Sequence, residues 1–199
     1  GLGDVYKRQD DTEAAERVKI QYGTSMCYPV SSMGSHVSVV PNHQLNRKTP
    51  LHTRANVAYF GTFGYELDLN KLSDEEISEV KQQITFMKEY RELIQFGTFY
   101  RLKSPFEGNE TVWMTVSEDK KTALVFWYRE RNVVNADFTR VRLHGLDPDL
   151  IYRNEYNETE NYGDELMNLG LLTTDCTAGE PTSEDEPCTD YESRIYVLT

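Results

Sequence analysis

Apolar residues recur at helical spacing in three stretches of the first half of this chain and in short alternating runs through the second half. After Asp10-Asp11-Thr12-Glu13, Val18 and Tyr22 fall on one helical face with Ile20 beside them, while Glu16, Arg17, Lys19 and Gln21 lie mostly on the other. The spacing predicts a helix over 12–22. Thr12 or Asp11 would cap it by accepting from a free N–H of the first turn, and Gly23 would stop it. Thr49-Pro50 predicts a second helix over 50–60, with Thr49 as cap and Pro50 at the first helical position. A third, over 73–95, opens on Ser73-Asp74-Glu75-Glu76, a capping box in which the hydroxyl and the Glu76 carboxylate each satisfy a free N–H. Leu72 and Ile77 are spaced as a hydrophobic staple, and Ile77, Val80, Ile84, Met87, Arg91 and Ile94 form the stripe. Between the helices, 35–40 is a β-branched run closed by Pro41, and 65–69 is a second, less regular strand. Residues 10–96 therefore read as βα units.

From Thr98 the grammar changes to short runs separated by turns. Strands are predicted over 111–116 and 122–128, joined at Glu118-Asp119-Lys120-Lys121, and over 138–143, 151–156 and 193–198. Residues 173–192 are polar and acidic, with Gly, Pro, Ser and Thr spread through them, and read as a mobile loop. The fold class expected is α/β followed by all-β, the second part (97–199) mostly antiparallel.

Composition narrows the function. The 199 residues suffice for one domain or two small ones, and 38% hydrophobic residues can supply a core. A net charge of −12 with no basic stripe argues against nucleic acid. No apolar run approaches the length that spans a bilayer, and no charged-then-apolar start suggests a signal peptide. Three cysteines are too few for a disulfide scaffold. Cys176 and Cys188 bracket the acidic loop and would bridge in an oxidising compartment, but free thiols are expected in a soluble cytoplasmic protein, which this composition suggests. His36, His43 and His52 lack metal-ligand spacing and read as loop or packing residues, so no metal and no cofactor is expected. Gly61-Thr62-Phe63-Gly64 lacks the Lys of a phosphate loop and reads as a helix-to-strand turn.

The run D-D-T-E-A-A-E-R-V-K-I-Q-Y-G-T-S from Asp10, then G-S-H-V-S-V-V-P-N-H-Q from Gly34, closely resembles the α-galactosidases of glycoside hydrolase family 36. So do N-V-A-Y-F-G-T-F-G-Y-E-L-D-L-N, Y-R-E-L-I-Q-F-G-T-F-Y-R-L-K-S-P-F-E-G-N-E-T and Y-G-D-E-L-M-N-L-G-L, so the resemblance extends to about Leu172. It implies the C-terminal part of a (β/α)8 (TIM) barrel over 10–96, then a C-terminal antiparallel β-sandwich domain over 97–199. It implies a retaining α-galactosidase acting on small oligosaccharides of the raffinose and melibiose type, with an enzyme that can be a homo-oligomer. In the family's S-D-[DN]-T-D motif the first Asp is the general acid/base, a role that falls on Asp10, with Asp11 beside it assigned to substrate binding. Gln9 stands in place of the motif's Ser, and Glu13 in place of its last Asp. No K-x-D-x-N-R-like stretch is present, so the nucleophile is expected upstream and the 199-residue chain alone is expected to be inactive. Alternatives are a related galactosyl transferase or α-N-acetylgalactosaminidase, or a non-catalytic carbohydrate-binding β-module. Asp4-Val5-Tyr6-Lys7-Arg8-Gln9 resembles the translation of a sequencing-library adapter, so residues 1–9 are expected to be non-native, the other reading being an ordinary strand or loop.

Overall fold

The computed structural model describes residues 12–43, 45–133, 138–173 and 190–199. The chain forms two compact units that divide between Gly97 and Thr98.

The first unit contains α1 (Ala14–Thr24), β1 (Gly34–Ser38), α2 (Leu51–Tyr59), β2 (Thr62–Glu66) and α3 (Asp74–Phe96). β1 and β2 pair in parallel, from Gly34 opposite Thr62 to Ser38 opposite Glu66, and α2 makes the crossover between them. Gln21 ties three elements together. Its Nε2 donates to the Val57 carbonyl (2.9 Å) and the Phe60 carbonyl (3.3 Å), closing the end of α2, and its Oε1 accepts from the Ser35 hydroxyl (2.9 Å) on β1. A buried amide needs such partners, because stripping it of water without replacement costs about 1–3 kcal/mol.

α3 begins as its capping box requires: the Glu76 amide donates to Ser73 Oγ (3.2 Å) and the Ser73 amide to Glu76 Oε2 (2.9 Å). It buries Val80, Gln83, Met87 and Ile94 and leaves Arg91 exposed. The second strand lies earlier than the expected 65–69. Beyond Glu66, the Asp68 carboxylate accepts from the Asn70 amide (3.1 Å) and turns the chain into a short 3-10 segment.

The second unit is organised on one antiparallel sheet, ordered β10 (Glu192–Leu198), β5 (Ala123–Arg129), β4 (Glu110–Val116), β3 (Thr98–Lys103). One face carries Val112, Met114, Val116, Val125, Trp127 and Tyr196 and packs on Val141, Leu143, Leu146, Tyr152, Leu166 and Leu171. These belong to a second layer of short pieces: β6 (Arg140–Val141), β7 (Ile151–Arg153), β8 (Glu160–Tyr162), α4 (Gly163–Asn168) and β9 (Leu171–Leu172). The other face bears an aromatic row in which Trp113 stacks on Phe126 at 4.3 Å.

The expected strand 138–143 shrinks to Arg140–Val141, and 151–156 ends at Arg153, because these segments pair with partners only two and three residues long. The helix α4 was not expected in an all-β part. Of the loop 173–192, residues 174–189, with Cys176 and Cys188, lie outside the described residues. Thr173 is buried and accepts at its carbonyl from the Tyr196 hydroxyl (3.0 Å), and Glu192 opens β10.

Two outcomes follow from this packing. At Gly163 an added Cβ would sit 1.9 Å from the Asp147 carbonyl oxygen, whereas at Gly108 it would meet nothing within 4 Å. Gly163→Ala should therefore cost roughly 1–3 kcal/mol and Gly108→Ala stay within about 0.5 kcal/mol. Urea unfolding followed by tryptophan fluorescence checks this, since Trp113 and Trp127 both report the second unit. In the first unit the Tyr65 hydroxyl donates to Gln83 Oε1 (2.8 Å), and burial, helped by the nearby Glu79 charge, pushes its pKa up to about 12. A raised phenol pKa gives stability that is full below the unfolded value near 10 and fades as pH rises through 12. Tyr65→Phe should flatten the alkaline limb of the stability–pH curve in that window.

Candidate functional site

Asp10 and Asp11 lie outside the described residues. What is described lies downstream of them: Thr12, the start of α1, the C-terminal end of β1 and, apart from Gln44, the βα loop 39–50 that leaves it.

Glu13, not Thr12 or Asp11, is the N-cap of α1. Its Oε2 accepts from the Glu16 amide (3.0 Å). A Glu is an unusual cap because its longer stem loses more freedom than Asp or Ser. Its carboxylate is wholly buried, however, and meets two groups of the loop: Arg47 Nη1 donates to Oε2 (2.7 Å) and the Thr49 hydroxyl to Oε1 (2.9 Å). Thr49 is therefore not the cap of α2. The N-cap there is Pro50, with no side-chain cap bond, and the Thr49 hydroxyl is spent on Glu13.

Thr12 is held from the same side. Its carbonyl accepts from the Ser38 hydroxyl at the end of β1, and its hydroxyl from Asn42 Nδ2 (3.3 Å). Asn42 also organises the loop: its Oδ1 accepts from the Leu45 amide (3.0 Å) and its amide donates to the Arg47 carbonyl (2.9 Å). Arg54, buried on α2, straps the loop at both ends, with Nε donating to the Thr49 carbonyl (3.0 Å) and Nη1 to the Ser38 carbonyl (2.6 Å). Burial pulls the Arg54 guanidinium below its ordinary pKa, against the pull of Glu76 and Glu79.

The histidines do not converge. His36 is half-buried in mid-β1 opposite Gly64, where an added Cβ would come within 2.9 Å of its ring; His43 is exposed in the loop, and His52 is exposed on α2. Among the described residues no three His, Cys, Asp or Glu gather as a metal site requires, and no described helix is long and apolar enough to cross a membrane.

Two family profiles match the chain in series. Residues 4–97 match Melibiase, and residues 110–198 match the glycosyl hydrolase family 36 C-terminal domain. The chain belongs to glycoside hydrolase family 36. Within that family it is 53% identical over 162 residues to the α-galactosidase AgaA of Geobacillus stearothermophilus, which covers 81% of this chain and 22% of that protein. It is 50% identical over 162 residues to α-galactosidase Mel36A of Lactobacillus acidophilus, again 81% and 22%. The crystal structure of AgaA superimposes with a TM-score of 0.86 at 47% identity, covering 95% of this chain and 25% of the other. The α-galactosidase of Lactobacillus brevis does so at 0.88 and 44%, covering 96% and 25%. The chain thus spans about a quarter of the length of the relatives it matches. The Melibiase match begins at residue 4, inside the stretch 1–9.

Sequence reasoning passed over Arg47, Asn42 and Ser38, which no periodicity marks. Arg54 carried a signal, a charge on the otherwise apolar and small-residue face of α2 with Leu51, Ala55 and Ala58. The role of Thr49 is open to a direct test. If it donates to Glu13, Thr49→Val should cost about 1.5–3 kcal/mol, the worth of a hydrogen bond to a charged group. Thr49→Asp should cost more, because it sets a second carboxylate against Glu13. A cap of α2 would instead tolerate Asp, so chemical denaturation of the two variants, read by far-UV circular dichroism, separates the roles.

Proposed function

We propose that this chain is the part of a retaining α-galactosidase that carries the general acid/base and the C-terminal domain. The observation that supports this reading is the pair of family-36 matches lying end to end, at 53% identity to a named α-galactosidase. The first unit is then the closing part of a (β/α)8 barrel. The parallel β1 and β2 with α2 between them, and α3 following, favour it. So does the state of β2. Parallel strands are ordinarily buried on both faces, yet β2 is half-exposed, beside an open groove of about 440 Å³ lined by Thr62, Tyr65, Met87 and Arg91 among others. A further strand against β2 would bury it. The second unit is a β-sandwich, its second layer being the short strands packed on one face of the main sheet.

In this reading Asp10 is the general acid/base and Asp11 a substrate ligand. The nucleophile comes from the part of the family that this chain does not span. Retaining glycosidases hold the two carboxyl groups about 5–5.5 Å apart. Asp10 gives its proton to the departing glycosidic oxygen as the nucleophile takes the galactosyl group, then removes a proton from the water that releases it. Adjacent carboxylates help, since a neighbouring negative charge holds the acid protonated at a higher pH. Substrates of the raffinose and melibiose type are expected, because variants of AgaA have been crystallised in complex with raffinose and with stachyose. We assign the protein to the cytoplasm.

The full-length enzyme should hydrolyse raffinose, and residues 1–199 alone should not. Asp10→Ala should lower kcat/KM for raffinose by about 10²–10⁴-fold while largely sparing an aryl galactoside with an acidic phenol, whose departure needs no proton. The galactosyl-enzyme should accumulate on the aryl substrate, because its release still needs the base. Near-parental rates on both substrates in Asp10→Ala, with the loss appearing in Asp11→Ala, would move the acid/base to Asp11.

A further inference from the structure

We propose that the groove between β2 and α3 is the seat of the upstream part of the same polypeptide, and that Lys88 and Arg91 at its rim hold a carboxylate of that part; the proposal rests on the reading of the first unit as the closing part of a barrel. The groove measures about 440 Å³, and Phe63 and Tyr65 of β2 line it together with Ile84 and Met87 of α3. β1 and β2 form a two-stranded sheet, so one edge of β2 is unpaired among the described residues. An open parallel edge presents amides and carbonyls that a further strand satisfies and a small apolar ligand does not.

The helix supplies the charge. Val80, Ile84, Met87, Arg91 and Ile94 share one stripe of α3, and Arg91 stands exposed on it while Val80, Met87 and Ile94 are buried. Lys88, three residues before Arg91, is exposed as well, and neither pairs with a carboxylate among the described residues. Like charges at that spacing repel each other along a helix. Beside them Phe63, Tyr65 and Ile84 are only half-buried. A segment that lays apolar side chains on this floor and brings one Asp or Glu to the rim relieves both the repulsion and the exposure. The chain spans about a quarter of the length of its family-36 relatives, so the remainder of such a polypeptide is at hand. A covalently linked segment meets the groove at a far higher effective concentration than a second copy does.

The test uses the full-length enzyme, as an equal mixture of isotope-labelled and unlabelled protein. It is treated with a carbodiimide, which joins an amine to a carboxylate only where the two touch, and the joined peptides are read by mass spectrometry. Lys88, and the amine at position 91 in Arg91→Lys, should each couple within one copy to an Asp or Glu upstream of Asp10. Arg91→Glu should abolish that coupling at Lys88 and lower the melting temperature by about 2–4 °C, with a smaller shift in Arg91→Leu. Replacing the coupled carboxylate by Lys in the Arg91→Glu enzyme should recover the loss. No coupling, coupling only to Glu89 or Glu92 of α3 or to residues downstream of Asp10, or coupling between labelled and unlabelled copies would overturn the proposal. So would an Arg91→Glu enzyme that melts with its parent. Raffinose hydrolysis is measured on the same preparation. If raffinose is not cleaved while Lys88 couples upstream, the α-galactosidase reading falls and the groove assignment stands. If raffinose is cleaved and Lys88 does not couple upstream, the groove assignment alone falls.

Discussion

The first unit is arranged around one carboxylate taken out of water. Moving a carboxylate into a protein interior carries an effective penalty of several kcal/mol even after relaxation, and removing a partner from a buried pair costs about 3–5 kcal/mol. Glu13 has no exposed side-chain surface, so its neighbours are dictated. A cation must come close, and Arg47 does. The second oxygen needs a donor, and Thr49 gives one. Both sit on the loop after β1, so burying Glu13 helps hold that loop against the start of α1. Asn42 then shapes the turn, and Arg54 pins its two ends through the carbonyls of Ser38 and Thr49.

The second unit applies the same rule to a different problem. Trp127 is buried at the edge of the core face, and its indole nitrogen needs an acceptor, which Glu110 supplies (3.2 Å) while pairing with Lys103. The ring is flanked by the guanidinium groups of Arg129 and Arg194, at 5.4 and 5.6 Å from its centroid. Glu192 pairs with both, so one carboxylate holds two cations against one ring despite their mutual repulsion. In each unit a buried polar group, the Glu13 carboxylate or the Trp127 indole, is paired with residues distant in sequence, which helps fix how the segments lie within the unit.

Long-range pairing also explains what the sequence showed and what it did not. The three helices are legible because their signals are local: a capping box at Ser73 and Glu76, a proline at position 50, and apolar residues every three or four positions. The pair β4–β5 is legible because each strand is seven residues long, with a tight turn between. The short second layer is not. Two residues such as Arg140–Val141 carry no periodicity, and α4, at six residues, is shorter than the two turns a stripe needs. At the site, the words around Asp10 pointed to a family, but the residues that hold Glu13 lie 34 and 36 positions downstream in a loop without pattern. Only the fold brings them to it. The misassigned caps have the same origin. Thr49 has the chemistry of a cap, and what it bonds instead is settled by the nearness of Glu13.

Position 13 carries Glu where the motif implied by the family resemblance has Asp. An Asp at that place would cap α1 at lower entropic cost, since it orders one fewer bond. The extra methylene lets one carboxylate bridge two structures, with Oε2 shared between the Glu16 amide and Arg47 and Oε1 turned to Thr49. A shorter side chain could keep the cap only by drawing the loop nearer to α1 or by giving up one of its loop partners. The size of the residue at position 13 therefore sets the spacing between the first turn of α1 and the loop after β1.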